Sequence, residues 1–146
     1  MILSKTTEYA LTILGFMATR NEPLYSAEYL HQQLKIPRHY LRRLLTDLSK
    51  HGFIKATKGR NGGFIFARDL KEINFAMIIE TLEGSELLNR CILGFSCCLI
   101  DSPCIMHDIY TEASRKMKET LSNTSLEDLR IKYQSDVRKN FIPNHN

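Results

Sequence analysis

Four cysteines lie close together in the second half of the chain and are the residues best suited to metal or redox chemistry. They are Cys91, Cys97, Cys98 and Cys104. Pro103 follows Asp101 and Ser102, a helix-start signal, so Cys104 and His107 are expected about one turn apart on the same face of a helix. A helix N-terminus favours the thiolate form of cysteine, which is the form that binds metals. The sequence therefore predicts a metal site where this helix begins.

The spacing of the cysteines bears on which metal would bind. Zinc sites usually contain cysteines separated by two to four residues, and no such pair occurs here. Adjacent side chains such as Cys97 and Cys98 tend to diverge, so we do not expect both to bind one ion. Three thiolates and a histidine at wide spacing favour an iron–sulfur cluster over tetrahedral zinc. Zinc and buried structural cysteines stay open as alternatives, and an ordinary surface or core role suits His107 equally well.

Basic residues form the second group of interest, in the first half of the chain. Residues 1–70 contain 11 Lys and Arg against 5 Asp and Glu, whereas residues 71–146 contain 9 against 11. Seven of the basic residues lie from Arg38 to Arg60, where Asp47 is the one acidic residue. Such an excess of positive charge attracts polyanions, although the outer face of an ordinary solvated helix is charged too.

Short helices and a hairpin are predicted to position the basic residues. Apolar spacing predicts helices over about 6–20, from the cap Ser26 to about 34, and from Pro37 to about 51. Strands are predicted over 53–57 and 64–67, joined by a glycine-rich basic turn at 58–63. This order is that of a winged helix–turn–helix, whose third helix fits the DNA major groove and whose hairpin contacts phosphates or the minor groove. The predicted DNA-contacting residues are Ser26, Arg38, His39, Tyr40, Arg42, Arg43, Thr46, Lys50, Lys58, Arg60, Asn61 and Gly62.

The second half is predicted to be helical outside the cysteine segment. A fourth helix is expected over about 75–83, ended by Gly84, and a long helix from about Pro103 to Leu121 with one apolar stripe. Thr124 and Glu127 have capping-box spacing for a last helix reaching about Asn140. These elements divide the chain into a winged helix–turn–helix domain, residues 1–84, and a segment with the cysteines and the long helix, residues 85–146.

Length and composition exclude several classes of protein. The chain has 146 residues, of which 43% are hydrophobic and 25% charged, which is typical of a soluble globular protein. No apolar run approaches the length of a membrane span, and no export signal is evident, so a cytoplasmic location is expected. A Cys nucleophile enzyme is disfavoured because no nucleophile–histidine pairing with a Gly-rich binding loop occurs. We therefore expect a regulator rather than an enzyme.

The sequence resembles the iron–sulfur-cluster winged-helix transcription regulators, the IscR- and NsrR-like family, which shares its fold with the cluster-free CymR. The resemblance extends from Thr7 to about Leu121. Its most specific parts are the wing at 58–64, the segment 79–84 and the spaced cysteines before Cys104 and His107. It implies a homodimer that binds double-stranded DNA, with the stripe from Ile105 to Leu121 as the dimer interface.

The resemblance also implies a ligand set for the cluster. Cys91, Cys98 and Cys104 match the ligating cysteines best, with Cys97 as the less favoured neighbour. The fourth ligand is His107 if the chain is IscR-like, or the partner subunit's Glu8 if it is NsrR-like. A 2Fe–2S cluster is favoured over 4Fe–4S. The alternative is a regulator of the same fold that uses a thiol switch or zinc. Pro37 stands where relatives often have a capping serine, which bears on the DNA sequence recognised.

Overall fold

The computed structural model describes residues 2–20, 22–87, 90–94 and 104–136. Within these ranges the chain forms six α-helices and a two-stranded antiparallel sheet. In chain order the elements are α1 (Lys5–Thr19), α2 (Ala27–Leu34), α3 (Arg38–Lys50), β1 (Ile54–Thr57), β2 (Gly63–Phe66), α4 (Phe75–Glu83), α5 (Ile105–Asn123) and α6 (Leu126–Ser135). The predicted class, mainly α with a β-hairpin wing, is confirmed. No helix of the described residues is both long and apolar enough to span a membrane.

Helices α2 and α3 form the helix–turn–helix unit. Ser26 caps α2 by accepting a hydrogen bond from the Tyr29 amide, and α2 ends at Lys35, which adopts a left-handed conformation with φ of 58°. The His31 ring bonds to the Ile36 carbonyl at 2.7 Å and so ties the end of α2 to the turn. Pro37 is the N-cap of α3 rather than its first helical residue. The inner face of α3 is buried through Leu41, Leu44, Leu45 and Leu48, which recur at helical spacing.

The wing is a hairpin whose backbone pairing extends beyond its two strands. Ile54 pairs with Phe66, and Thr57 pairs with Gly63 across the start of the turn. Tyr25, which lies before α2, adds a bridge to Phe64 with backbone hydrogen bonds of 3.0 and 2.8 Å. No sequence pattern pointed to this bridge, because it joins residues far apart in the chain. It attaches the wing to the helix–turn–helix unit.

The core lies between α1, the helix–turn–helix unit, α4 and α6. One face of α1 is buried, with Ala10, Ile13 and Leu14 fully inaccessible. Leu126 of α6 belongs to the same core, and α6 packs against α1. The last helix therefore packs on the first part of the chain. The division of the chain into two domains at residue 84 stays a prediction.

The boundaries of the last two helices differ from the prediction. Helix α5 begins at Ile105, with Cys104 as its N-cap, and continues to Asn123. The capping box predicted at Thr124 is wrong: Ser125 caps α6 and exchanges hydrogen bonds with Asp128. Thr124 instead ends α5, where its hydroxyl donates to the Thr120 carbonyl at 2.7 Å. Helix α6 ends at Ser135, with Asp136 as its C-cap, and the predicted end near Asn140 lies outside the described residues.

Candidate nucleic-acid interface and metal-binding residues

The outer face of α3 presents most of the predicted DNA-contacting residues to solvent. The four leucines occupy the inner face, and most of the basic residues face outward at helical spacing. The exposed members of this face are Arg38, His39, Arg42, Arg43, Thr46 and Lys50. Ser26 is half-buried at the start of α2. A helix with arginines on one accessible face can insert in the major groove and donate to base edges.

Tyr40 differs from the other predicted contact residues because it packs against α1. It is half-buried, and its hydroxyl hydrogen-bonds to the Thr6 hydroxyl at 2.6 Å. Its ring meets the Tyr9 ring edge to face, with 5.4 Å between centroids. This side chain therefore joins the recognition helix to the first turns of α1.

Arg38, the first residue of α3, is held by Glu28 of α2. Its Nε and Nη2 atoms donate to the two carboxylate oxygens of Glu28 at 3.0 and 2.8 Å. Gln32 donates to the same carboxylate at 3.3 Å. The hydrogen bonds from Arg38 lower the pKa of Glu28 to about 2. The pair is solvent-accessible and keeps the guanidinium in one orientation.

The hairpin turn brings backbone and basic side chains to one tip. Lys58, Arg60 and Asn61 are exposed there. Gly59 has a φ of 125°, a conformation that side chains rarely adopt, and the Gly62 amide donates to the Gly59 carbonyl at 3.1 Å. A side chain at Gly62 would meet the Thr57 carbonyl at 2.6 Å, so the glycine is needed for the tight turn. The tip is a compact basic projection of the size that reaches phosphates beside a groove.

The described part of the cysteine segment contains two half-buried thiols, Cys91 and Cys104, both free. Cys104 is the N-cap of α5, yet its side chain makes no capping hydrogen bond. His107 is exposed, and its amide donates to the Cys104 carbonyl at 2.9 Å in the first turn of α5. Cys97 and Cys98 lie outside the described residues, as does the Asp101–Pro103 signal. Among the described residues no three potential ligands converge on one point.

The donor types nevertheless fit an iron–sulfur cluster. Cys104 and His107 lie at the N-terminus of α5, where the positive end of the helix dipole offsets the negative charge of a sulfur-ligated cluster. The Cys104 thiol is not used to cap the helix and remains available as a ligand. Glu8, the alternative fourth ligand, lies on the first turn of α1 and forms an ion pair with Lys5 at 2.9 Å.

Glu83 joins the end of α4 to the start of α1, a connection that no sequence pattern indicated. Its Oε1 accepts hydrogen bonds from the Ser4 amide at 2.7 Å and from the hydroxyl of the fully buried Thr7 at 2.6 Å. Hydrogen bonds from Ser4 and Thr7 lower the pKa of this carboxyl group. Glu83 is the last residue of α4, so this contact fixes the end of α4 against the start of α1.

Helix α5 has no buried residue in this structure. Ile105, Ile109 and Met117, which form the predicted apolar stripe, are 76%, 58% and 40% exposed. A solvated helix normally keeps such a stripe against its own core. The stripe of α5 is therefore a surface that a partner could cover.

Comparison with known proteins decides the family. The family model described as Rrf2, iron-dependent transcriptional regulator, matches residues 3–131. The chain belongs to the Rrf2 family. Rrf2 proteins are DNA-binding transcriptional regulators and not enzymes, which confirms both the resemblance and the expectation that this chain is not an enzyme.

Individual Rrf2 proteins show similarity along most of the chain. The regulator NsrR of Oceanobacillus iheyensis is 30% identical over 139 residues, which cover 94% of this chain and 94% of the relative. The regulator IscR of Pectobacterium atrosepticum is 27% identical over 131 residues, covering 88% and 79%. Among solved structures, CymR, the global cysteine regulator of Bacillus subtilis, matches with a TM-score of 0.75 and 26% identity, covering 90% of this chain and 98% of that one.

Proposed function

We propose that this chain is a cytoplasmic, homodimeric transcriptional regulator whose affinity for its operator is controlled by an iron–sulfur cluster. The observation that supports this most directly is the placement of Cys104 and His107 at the N-terminus of α5, in a chain that matches an iron-dependent family. Cys91, Cys98, Cys104 and His107 would hold the cluster, with Cys97 and Glu8 as the alternatives. When bound, the cluster supplies iron chemistry that responds to redox state or to small reactive molecules.

The proposed DNA interface consists of the outer face of α3 and the tip of the wing. Arginines on α3 would enter the major groove, where their forked donors match guanine, while Lys58 and Arg60 would neutralise phosphates. Two such units are needed, because a dimer binds half-sites about one helical turn apart. The exposed stripe of α5 is the proposed dimer interface, since covering it removes apolar surface from water.

The residues that connect the two sites are also on this chain. Glu83, the last residue of α4, ties that end of the helix to Ser4 and Thr7 at the start of α1, and Tyr40 of α3 bonds to Thr6 on the same turn of α1. A change in the position of the cysteine segment would therefore act on the first turn of α1 and, through Tyr40, on the recognition helix. Because half-site spacing on DNA is rigid, a small shift in subunit geometry would lower affinity.

The first experiment measures the cofactor and DNA binding in one preparation. The protein is purified without oxygen, its iron and acid-labile sulfide are quantified, and its visible and Mössbauer spectra are recorded. Duplex DNA from the region upstream of the gene that encodes the protein is then titrated with the iron-containing protein and with a chelator-treated sample. We expect iron, sulfide and visible absorption, and different affinities in the two samples. Equal affinities would contradict the proposal.

Cysteine variants provide matched controls for the ligand set. Cys98→Ala and Cys104→Ala are expected to lose iron and sulfide, whereas Cys97→Ala is expected to retain both. Loss of the cluster in Cys97→Ala but not in Cys98→Ala would reverse the assignment of that pair. His107→Ala and Glu8→Gln distinguish the two candidates for the fourth ligand by the same spectra.

The second candidate is a thiol-switch or zinc regulator of the same fold. The similarity to CymR and the free, half-buried thiols of Cys91 and Cys104 favour it. Such a protein would be colourless and would contain no sulfide when purified without oxygen. Stoichiometric zinc would identify the zinc form, and a change in DNA affinity on mild oxidation without metal would identify the thiol switch.

A further inference from the structure

We propose that Glu28 holds Arg38 in the orientation in which Arg38 recognises a guanine in each half-site of the operator. Glu28 is therefore a positioning residue for DNA sequence specificity. The inference rests on the proposed DNA-binding function and goes beyond it, because it assigns one arginine to base recognition rather than to phosphate binding. It follows from the two-point contact between helices α2 and α3 described above.

The geometry leaves one edge of the Arg38 guanidinium available. A guanidinium has five N–H donors in a planar fork. Glu28 accepts from Nε at 3.0 Å and from one N–H of Nη2 at 2.8 Å, so both N–H groups of Nη1 and the second of Nη2 remain. These remaining donors lie on the edge formed by Nη1 and Nη2, which is the parallel pair that matches O6 and N7 of guanine.

The pair is also accessible and held in place. The side chains of Arg38 and Glu28 are 59% and 49% exposed, so a DNA duplex can approach the free edge. Gln32 donates to the Glu28 carboxylate, which restrains the acid as well as the arginine. Because a side chain already ordered before binding loses less conformational entropy on contact, an oriented arginine binds a matching pair of base acceptors more tightly than a freely rotating one.

Charge argues against a simple phosphate contact for Arg38. Glu28 compensates the positive charge of the guanidinium, and a carboxylate beside it repels phosphate. Arg38 also begins α3, where the helix dipole is positive and an unpaired cation would be unfavourable. Exposed ion pairs contribute little to folding stability, so we expect Glu28 to matter for DNA recognition more than for the stability of the fold.

The experiment compares sequence selection by four forms of the full-length protein. Each is purified without oxygen and used to select duplexes from a random-sequence library, and affinities for the selected duplex and its single-base variants are measured at one salt concentration. The forms are the wild type, Glu28→Gln, Arg38→Lys and the control Glu22→Gln, which makes the same charge change at an exposed acid before α2. Arg38→Lys keeps the charge but loses the fork.

We expect the wild type and Glu22→Gln to prefer one guanine in each half-site by about 5- to 150-fold over other bases. Glu28→Gln and Arg38→Lys should both lose that preference while keeping the preferences at other positions. The inference is overturned if Glu28→Gln retains the guanine preference, or if it weakens binding equally on every sequence. If the wild type binds no duplex more tightly than random-sequence DNA, the proposed function is overturned, and the inference with it.

Discussion

Glu83 offers the sharpest test of how the end of α4 is anchored to the start of α1. Replacing it by alanine removes the acceptor of the Ser4 amide and of the buried Thr7 hydroxyl. Hydrogen bonds to a charged group typically contribute about 1.5–3 kcal/mol, and a donor left without its acceptor adds a desolvation cost. Since Glu83 is itself partly exposed and Thr7 keeps a contact with the Ser4 hydroxyl at 3.1 Å, we expect Glu83→Ala to lose about 1.5 kcal/mol of unfolding free energy.

The assay is urea denaturation followed by circular dichroism at a fixed protein concentration, because the proposed dimerisation would make stability depend on concentration. Glu86→Ala, at an exposed glutamate beyond the end of α4, is the matched control and is expected to change stability by less than about 0.5 kcal/mol. A double-mutant cycle with Thr7→Val isolates the contribution of the hydroxyl–carboxylate pair. Equal losses in Glu83→Ala and Glu86→Ala would refute the anchoring role.

The pH dependence of the unfolding free energy is a second test of the contact that Glu83 makes with Ser4 and Thr7. Folding lowers the pKa of Glu83, so its contribution is complete above the unfolded value of about 4.3 and is lost as pH falls through that value towards the folded pKa. The difference in stability between the wild type and Glu83→Gln should therefore be largest near neutral pH and should shrink on acidification. A difference that is constant with pH would show that the charge of Glu83 is not involved.

Three further predictions concern the recognition helix, the dimer and the wing. Tyr40→Phe removes the hydrogen bond to Thr6 and should cost about 1 kcal/mol in urea denaturation; an unchanged midpoint would argue against that contact. Ile109→Glu places a charge in the exposed stripe of α5 and should weaken dimerisation by about tenfold or more in sedimentation equilibrium, whereas Glu112→Gln on the same helix should not. Lys58→Ala should reduce the slope of log affinity against log salt by about 0.9 on any DNA sequence, and a loss confined to one sequence would contradict its role as a phosphate contact.

The helical framework was predictable because its signals are local. The leucines of α3 recur at the helical period, and Ser26 precedes α2 as a cap should, so burial on one side and exposed arginines on the other follow from spacing. Helix boundaries were less predictable where two neighbouring residues could both serve as the N-cap. Thr124 and Ser125 are both capable caps, and the choice of Ser125 depends on Thr124 ending the preceding helix.

The sequence by itself therefore determined which residue types are present and which helix faces they share: basic residues outward on α3, Cys104 at the start of α5, and an apolar stripe along α5. Only the tertiary structure decided the contacts between distant segments, such as Glu28 with Arg38, Tyr40 with Thr6, and Glu83 with Thr7. The physical reason is that periodicity reports the environment of one helix face, whereas a hydrogen bond depends on distance and angle between atoms whose separation is set by the packing of whole helices.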